Sequence, residues 1–190
     1  MAFTDNTRNF GLLAIMVAIL GMGSGVMMFL DEDIESKWRT IAGVGAIIAH
    51  IVMLLAGYAI YSGNIPMFMD KLFPEGPTSK FGVLTGYTAA IGVASIIGLG
   101  SSVAEIVVGV LVGLILLGIV WILTNDRKGI IERILWVILL VVYFLGIVGS
   151  ILSIFSGSAI ATAMGLCGCL MYLLAFIYLF DESVKQKFGM

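Results

Sequence analysis

Long apolar segments alternate with short polar ones along almost the whole chain. Each apolar segment is about 20 residues long, the length that an α-helix needs to cross the hydrocarbon core of a bilayer. The segments cover residues 10–30, 41–61, 81–100, 103–123, 134–155 and 160–180. The pattern therefore predicts an all-α integral membrane protein in which residues 1–190 form one domain, a bundle of six transmembrane helices.

Two connections between the predicted spans are very short. Only Ser101 and Ser102 separate the third span from the fourth, and residues 156–159 connect the fifth to the sixth. A short connection makes consecutive helices antiparallel neighbours. We therefore expect the bundle to be built of helical hairpins, with three hairpins for six spans.

The loop between the second and third spans contains a further helical pattern. Apolar residues recur there at intervals of three and four, which is typical of one face of a helix. They are Ile65, Phe68, Met69, Leu72 and Phe73. The segment is too short to cross a bilayer, so we expect a short helix that lies in the membrane interface. Packing against the protein core is the alternative.

The distribution of basic residues predicts the orientation. With six spans, both termini and the loops of residues 62–80 and 124–133 lie on one side, which holds eight of the ten Lys and Arg residues. These are Arg8, Lys71, Lys80, Arg127, Lys128, Arg133, Lys185 and Lys187, against Lys37 and Arg39 on the other side. Short cytoplasmic loops are enriched in Lys and Arg, so the tally predicts a multi-pass protein of the cell membrane with both termini cytoplasmic.

Composition agrees with this class and excludes others. Hydrophobic residues make up 61% of the chain and charged residues 12%, against about 45–50% and about 25% in soluble domains. The lipid bilayer is therefore an expected partner. A net charge of −2 without a basic cluster argues against nucleic-acid binding. Cys167 and Cys169 both lie in the last span and do not form a secreted disulfide framework.

Small residues indicate where helices approach closely. The third span places a small residue at every fourth position, which forms a groove along one face. The candidate packing residues are Gly82, Gly86, Ala90, Ala94 and Gly98 in that span, with Gly21 and Gly25 in the first and Gly109 and Gly113 in the fourth. Such a groove can receive another helix of the same chain, a second copy in a homo-oligomer, or another membrane subunit.

A few polar residues interrupt the apolar spans. His50 is the only histidine and lies near the middle of the second span; Thr85, Tyr87, Thr88 and Ser95 give the third span a polar side. Ionisable residues inside a membrane are costly and often functional. His50 can hydrogen-bond to a neighbouring helix, belong to a ligand or proton-relay site, or face lipid. We treat these five residues as one candidate intramembrane polar site.

Other chemistry has little support in the sequence. Ser102 and Glu105 have the spacing of a capping box at the start of the fourth span, so Glu105 is explained by helix capping. His50, Met53 and the two cysteines are ligand types that suit Cu(I), but their spacing matches no metal site. We therefore predict no metal and no cofactor.

No catalytic motif is present, so the chain is not expected to be an enzyme. The leading hypothesis is a non-catalytic membrane subunit or helix-packing partner. The alternative is a permease or channel for a small solute or cation, which would use His50 and the polar side of the third span.

Overall fold

The computed structural model describes residues 3–73, 75–98, 100–125 and 129–190. In this part of the chain it forms seven α-helices: α1 Thr7–Met28, α2 Ser36–Ser62, α3 Lys80–Ile97, α4 Val103–Thr124, α5 Ile130–Ile154, α6 Ala159–Tyr178 and α7 Glu182–Lys187. Short 3₁₀ helices cover Phe3–Asp5 and Met67–Leu72. All of the secondary structure in the described residues is helical, as predicted.

Helices α1 to α6 are long and apolar enough to cross a membrane, by length and composition. Each coincides with one of the six predicted spans. The largest differences are at the starts of α2 and α5, which begin five and four residues earlier than predicted, at Ser36 and Ile130. Hydropathy marks the apolar part of a helix, whereas its backbone hydrogen bonds continue into polar residues at the ends.

Successive helices run in opposite directions. Near one end of α1, Gly11 lies against Tyr61 of α2, and near the other end Gly25 lies against Ile47. We call the end that carries both chain termini the termini end, and the opposite end the loop end. The start of α1 and the segment before α3 meet at the termini end. There the Thr7 hydroxyl donates to the Thr78 carbonyl oxygen at a distance of 3.3 Å.

Helix α3 lies at the centre of the assembly. From Phe81 to Gly92, every residue except Ile91 is buried. Its neighbours come from all sides: α2 and α4 pack along it, and α6 and α7 contact its termini end. From α1, the Phe10 ring meets the Tyr87 ring edge-on at a centroid distance of 4.9 Å. The other helices are therefore arranged around α3, whose buried residues are mostly Gly, Ala and Thr.

Glycine permits the close contact between α3 and α4. A Cβ on Gly113 would come within 2.5 Å of the Gly92 carbonyl oxygen, and one on Gly109 within 2.7 Å of the Ser95 carbonyl oxygen. Real Cβ atoms do not approach backbone this closely. The two helices therefore keep this separation only while both positions lack a side chain.

The segment between α2 and α3 differs from the expected interfacial helix. It is a 3₁₀ helix, Met67–Leu72, that follows Pro66. The side chains of Met69 and Phe73 are buried in the core, and the Phe73 ring occupies the space beside Gly86 where a Cβ would stand. Phe73 therefore covers α3 at the termini end, which corresponds to the alternative of packing against the protein core.

The carboxyl-terminal segment closes the termini end. Val184 and Phe188 of the α7 region have no exposed surface, and the Phe188 ring packs edge-on against Phe81 at 5.8 Å. The Lys80 ammonium binds the Asp181 carboxylate at 2.6 Å and the Asp5 carboxylate at 3.4 Å. One lysine at the start of α3 thus joins the beginning and the end of the chain.

A carboxylate fixes the short turn between α3 and α4 at the loop end. The Ser102 hydroxyl accepts from the Glu105 backbone N–H at 3.3 Å, as the predicted capping box requires. The Glu105 carboxylate, however, accepts from the backbone N–H and the hydroxyl of Ser101, at 2.7 and 2.9 Å. In a capping box the glutamate accepts from the backbone N–H of the N-cap residue, here Ser102. In this turn Ser101 donates to Glu105 instead.

Some residues used in the sequence predictions lie outside the described structure. Arg127 and Lys128, which contribute to the charge tally, are outside the described residues, and so is Leu99 of the predicted third span. The side chains of Phe68, Lys71 and Leu72 are also outside what the structure describes.

Replacing Gly11 with alanine should destabilise the fold. The new Cβ would lie 2.5 Å from the Tyr61 nitrogen and 2.8 Å from the Gly57 carbonyl oxygen, so α1 and α2 would have to separate. We expect Gly11→Ala to lose about 1–3 kcal/mol of unfolding free energy, measured by SDS titration in mixed micelles. Gly23→Ala is the matched control, because a Cβ there meets no atom within 4 Å. Equal stabilities would contradict this account of the α1–α2 contact.

Removing the charge of Asp181 should reduce stability in a pH-dependent way. The Lys80 ammonium, and then the Ser183 hydroxyl, hold the pKa of Asp181 below its ordinary value of 3.8. The ionised carboxylate therefore stabilises the folded protein above that pH, and its contribution is lost as the pH falls through the lowered pKa. Asp181→Asn, which keeps a capping side chain, should cost about 1 kcal/mol or less at pH 7.

The melting temperature in detergent at pH 7 and at pH 2 would test this contribution of Asp181. The two proteins should differ at pH 7 and converge at pH 2. A difference that is the same at both values would show that the charge plays no part.

Candidate functional site

A partly open cavity between the helices has a volume of about 400 Å³. Five helices contribute to its wall: α1, α2, α3, α5 and α6. The lining residues are Val17, His50, Met53, Tyr87, Gly146, Gly149, Ser150, Ser153, Met164, Gly165, Gly168 and Tyr172. The volume is within the range of small-molecule sites, about 300–1,000 Å³. We call it the central cavity.

A hydrogen bond within α2 fixes the orientation of the His50 ring. Its Nδ1 lies 2.7 Å from the Ala46 carbonyl oxygen, one turn earlier in α2. Because a carbonyl only accepts, Nδ1 carries the proton in this arrangement and Nε2 of the neutral ring is an acceptor. The other edge of the ring lies against Gly21 of α1, where a Cβ would collide with it. The hydrogen bond is thus within α2 and not between helices.

His50 also lines two further cavities. A second cavity of about 230 Å³ has His50, Ser95 and Tyr172 in its wall. A third cavity, of about 320 Å³, is lined by His50 and by Ser101 and Glu105 of the loop end. His50 therefore contributes to the walls of all three cavities.

Two tyrosines in the central cavity wall have hydroxyl groups with free bonding capacity. The Tyr87 hydroxyl is buried and has no hydrogen-bond partner among the described residues. The hydroxyl of Tyr172 likewise forms no hydrogen bond to the described part of the chain. A buried hydroxyl without a partner costs about 1–3 kcal/mol. A ligand or water that bonds to these groups in the cavity would recover that free energy.

Tyr143 shows the contrasting, satisfied arrangement. Its hydroxyl lies 2.7 Å from the Thr88 hydroxyl and donates to the Leu84 carbonyl oxygen at 3.3 Å. Tyr143 and Thr88 are both buried and neither lines the central cavity. Their hydrogen bond fastens α5 to α3 beside the cavity.

The five residues of the predicted polar site do not form one group. His50 and Tyr87 share the central cavity, and His50 and Ser95 share the second. Thr88 bonds to Tyr143 instead, and the Thr85 hydroxyl donates to the Phe81 and Gly82 carbonyl oxygens of its own helix, at 3.0 and 3.2 Å.

The predicted small-residue groove of α3 does not have a single partner. Gly82 lies against the Gly76 carbonyl oxygen and Gly86 against Phe73, both in the loop before α3. Gly98, just beyond the end of α3, approaches Ala49 of α2. Ala90 is fully buried, and Ala94 lines the second cavity.

Helix α5 supplies wall residues that the sequence analysis did not select. Gly146, Gly149, Ser150 and Ser153 all line the central cavity. The sequence marks these positions as small residues three or four apart on one face of a helix whose other residues are mostly bulky and apolar.

Glu132, near the start of α5, was missed for a different reason. Its carboxylate is buried without a hydrogen-bond partner in the described residues. It precedes the predicted fifth span by two residues, so the hydropathy pattern places it in the preceding loop.

The chemistry of the central cavity is that of a neutral site. None of the described residues that line it is Asp, Glu, Lys or Arg. The described part of the chain also contains no group of three or more His, Cys, Asp or Glu side chains able to hold a metal ion. Comparisons of the chain with protein-family models, with curated proteins and with solved structures found no match.

The Thr88–Tyr143 bond should stabilise the wall of the cavity. Tyr143→Phe and Thr88→Val each remove one hydroxyl while retaining the shape of the side chain, and each should cost about 1–2 kcal/mol of unfolding free energy. Because both changes break the same bond, the double variant should cost about 1 kcal/mol less than the sum. SDS titration of the four proteins measures this coupling, and strictly additive losses would contradict it.

Proposed function

We propose that the protein is a non-catalytic, multi-pass membrane protein that admits a small neutral solute to the central cavity, as a permease does. The observation that supports this most strongly is the cavity itself: about 400 Å³ between five apolar helices, with polar groups in its wall. Binding sites near the midplane, between packed helices, are a common design of membrane transporters.

The chemistry of the wall favours a neutral solute over a cation. A cation at the bilayer centre needs a carboxylate or a ring of carbonyl oxygens. The described lining instead offers hydroxyls, one imidazole and mainly apolar surface. Of the two transport substrates considered from the sequence, the small solute therefore fits better.

Access from the loop end is supported by the cavities that meet at His50. The third cavity extends from His50 to Glu105, which lies beside the short turn between α3 and α4. At the termini end, by contrast, Phe10, Tyr87 and Tyr178 are fully buried, and α7 covers α3. This arrangement corresponds to a state open toward the loop end and closed toward the termini.

In the membrane, we place six helices across the bilayer with both termini in the cytoplasm. The described basic residues at the termini end include Arg8, Lys80, Arg133, Lys185 and Lys187, and those at the loop end are Lys37 and Arg39. This placement makes the loop end extracellular and the permease outward-facing in the present state.

The alternative of a membrane subunit with no site of its own has no comparable observation. Helices α4 and α5 carry many exposed apolar residues, such as Leu114, Val141 and Leu145. Lipid would cover these faces as well as a partner protein would.

Obstructing the central cavity should reduce solute passage. Gly149 lines the cavity at an exposed position, and a Cβ there meets no atom within 4 Å, so Gly149→Phe can be accommodated and should obstruct the open side of the cavity. We expect proteoliposomes with the unmodified protein to equilibrate butyramide or isobutyramide, which are small neutral solutes, faster than empty liposomes, and Gly149→Phe to lower that protein-dependent rate at least about threefold. Stopped-flow light scattering measures both rates.

Gly118→Phe is the matched control for Gly149→Phe. Gly118 also has open space around its Cβ position but lies on α4, away from the central cavity. It should leave the rate unchanged. Equal rates for Gly149→Phe and the unmodified protein, or no rate above empty liposomes for either solute, would contradict the permease function.

A further inference from the structure

We infer that the central cavity selects neutral amphipathic molecules, with an apolar body and a single hydroxyl or amide group that bonds to the tyrosines of its wall. This inference rests on the proposed function and specifies the class of solute. It follows from where the polar groups lie, which of them are already satisfied, and what surrounds them.

The free hydrogen-bonding groups are few. Thr88 and Tyr143 satisfy each other, Ser153 donates to the Gly149 carbonyl oxygen at 3.0 Å, and His50 Nδ1 is held by Ala46. What remains in the wall is the Tyr87 and Tyr172 hydroxyls and the Ser150 hydroxyl. Together they can both donate to and accept from one polar group of a ligand.

The remainder of the wall is apolar or lacks side chains. Val17, Met53 and Met164 provide hydrocarbon and thioether surface, and of the four glycines in the wall Gly149 alone has open space at its Cβ position. The Tyr172 ring is a flat aromatic wall and lies against Gly146. Such a surface favours an apolar body, and the flexible methionines adapt to its shape.

A charged ligand is disfavoured by the same geometry. No described lining residue carries a countercharge, and an ion would lose its hydration on entering a cavity surrounded by apolar helices. A ligand without any polar group would leave the two tyrosine hydroxyls unpaired. Sites that hydrogen-bond a ligand hydroxyl discriminate strongly against analogues that lack it.

Four probes of nearly equal shape separate these effects: benzyl alcohol, toluene, benzylammonium and benzoate. Dissociation constants would be measured by calorimetry in one detergent, so that partitioning into micelles is the same for every protein variant. Benzyl alcohol should bind at least about tenfold more tightly than either ion. Tighter binding of benzylammonium or benzoate would overturn the assignment of a neutral ligand.

The double variant Tyr87→Phe/Tyr172→Phe tests the tyrosine hydroxyls. Since neither hydroxyl has a partner in the described structure, the variant retains the hydrogen bonds of the fold and should melt at the same temperature or higher. It should bind benzyl alcohol about tenfold more weakly, with toluene affected less than about twofold. Tyr178→Phe is the matched control, because its hydroxyl is also buried without a partner in the described residues but does not line the cavity, so the change should not affect binding.

The outcomes distinguish this inference from the proposed function. If Gly149→Phe abolishes the binding of benzyl alcohol but the tyrosine double variant does not weaken it, the cavity binds ligands and the inferred selection by hydroxyl groups is wrong. If binding is the same in the unmodified protein and in Gly149→Phe, ligands do not enter the cavity. The proposed function then fails as well.

Discussion

The structure depends on how closely other helices can approach α3. Its buried face consists largely of glycine, alanine and small hydroxyl residues. The backbone of α4 at Gly113 can therefore contact Gly92, and the Phe73 ring can pack against Gly86. In a membrane, helix association has no hydrophobic drive, and close van der Waals contact and hydrogen bonds between helices provide the stability instead. The Thr88–Tyr143 bond is the clearest hydrogen bond of this kind to α3.

The same close contacts explain where the central cavity lies. Around Phe81 and Phe10, large aromatic side chains fill the space between helices at the termini end. Farther along, the wall of the cavity is lined by smaller residues, and Gly149 of α5 has open space at its Cβ position. The cavity is therefore a consequence of side-chain size along the helices, and the hydroxyls of Tyr87 and Tyr172 in its wall are left without partners in the described residues.

The sequence predicted the helices well and the site only in part. Apolar runs of bilayer length identify α1 to α6. In lipid each segment must satisfy its own backbone N–H and C=O groups, so each forms a helix whatever its neighbours are. His50 and Tyr87 could be selected as polar residues in apolar spans. That Ser150 faces the same cavity as His50, while Thr85 does not, depends on which helices are neighbours and on how each is rotated. A periodic pattern within one helix contains neither kind of information.

The composition of α3 also bears on how the chain enters a bilayer. Of the six long helices it has the lowest mean hydropathy, and α4, which follows after a very short turn, has the highest. During synthesis α3 is made before α4, α5 and α6, so its polar and glycine-rich faces initially have only α1 and α2 to shelter them. We therefore expect α3 to insert into the membrane together with α4, as one helical hairpin, and not on its own.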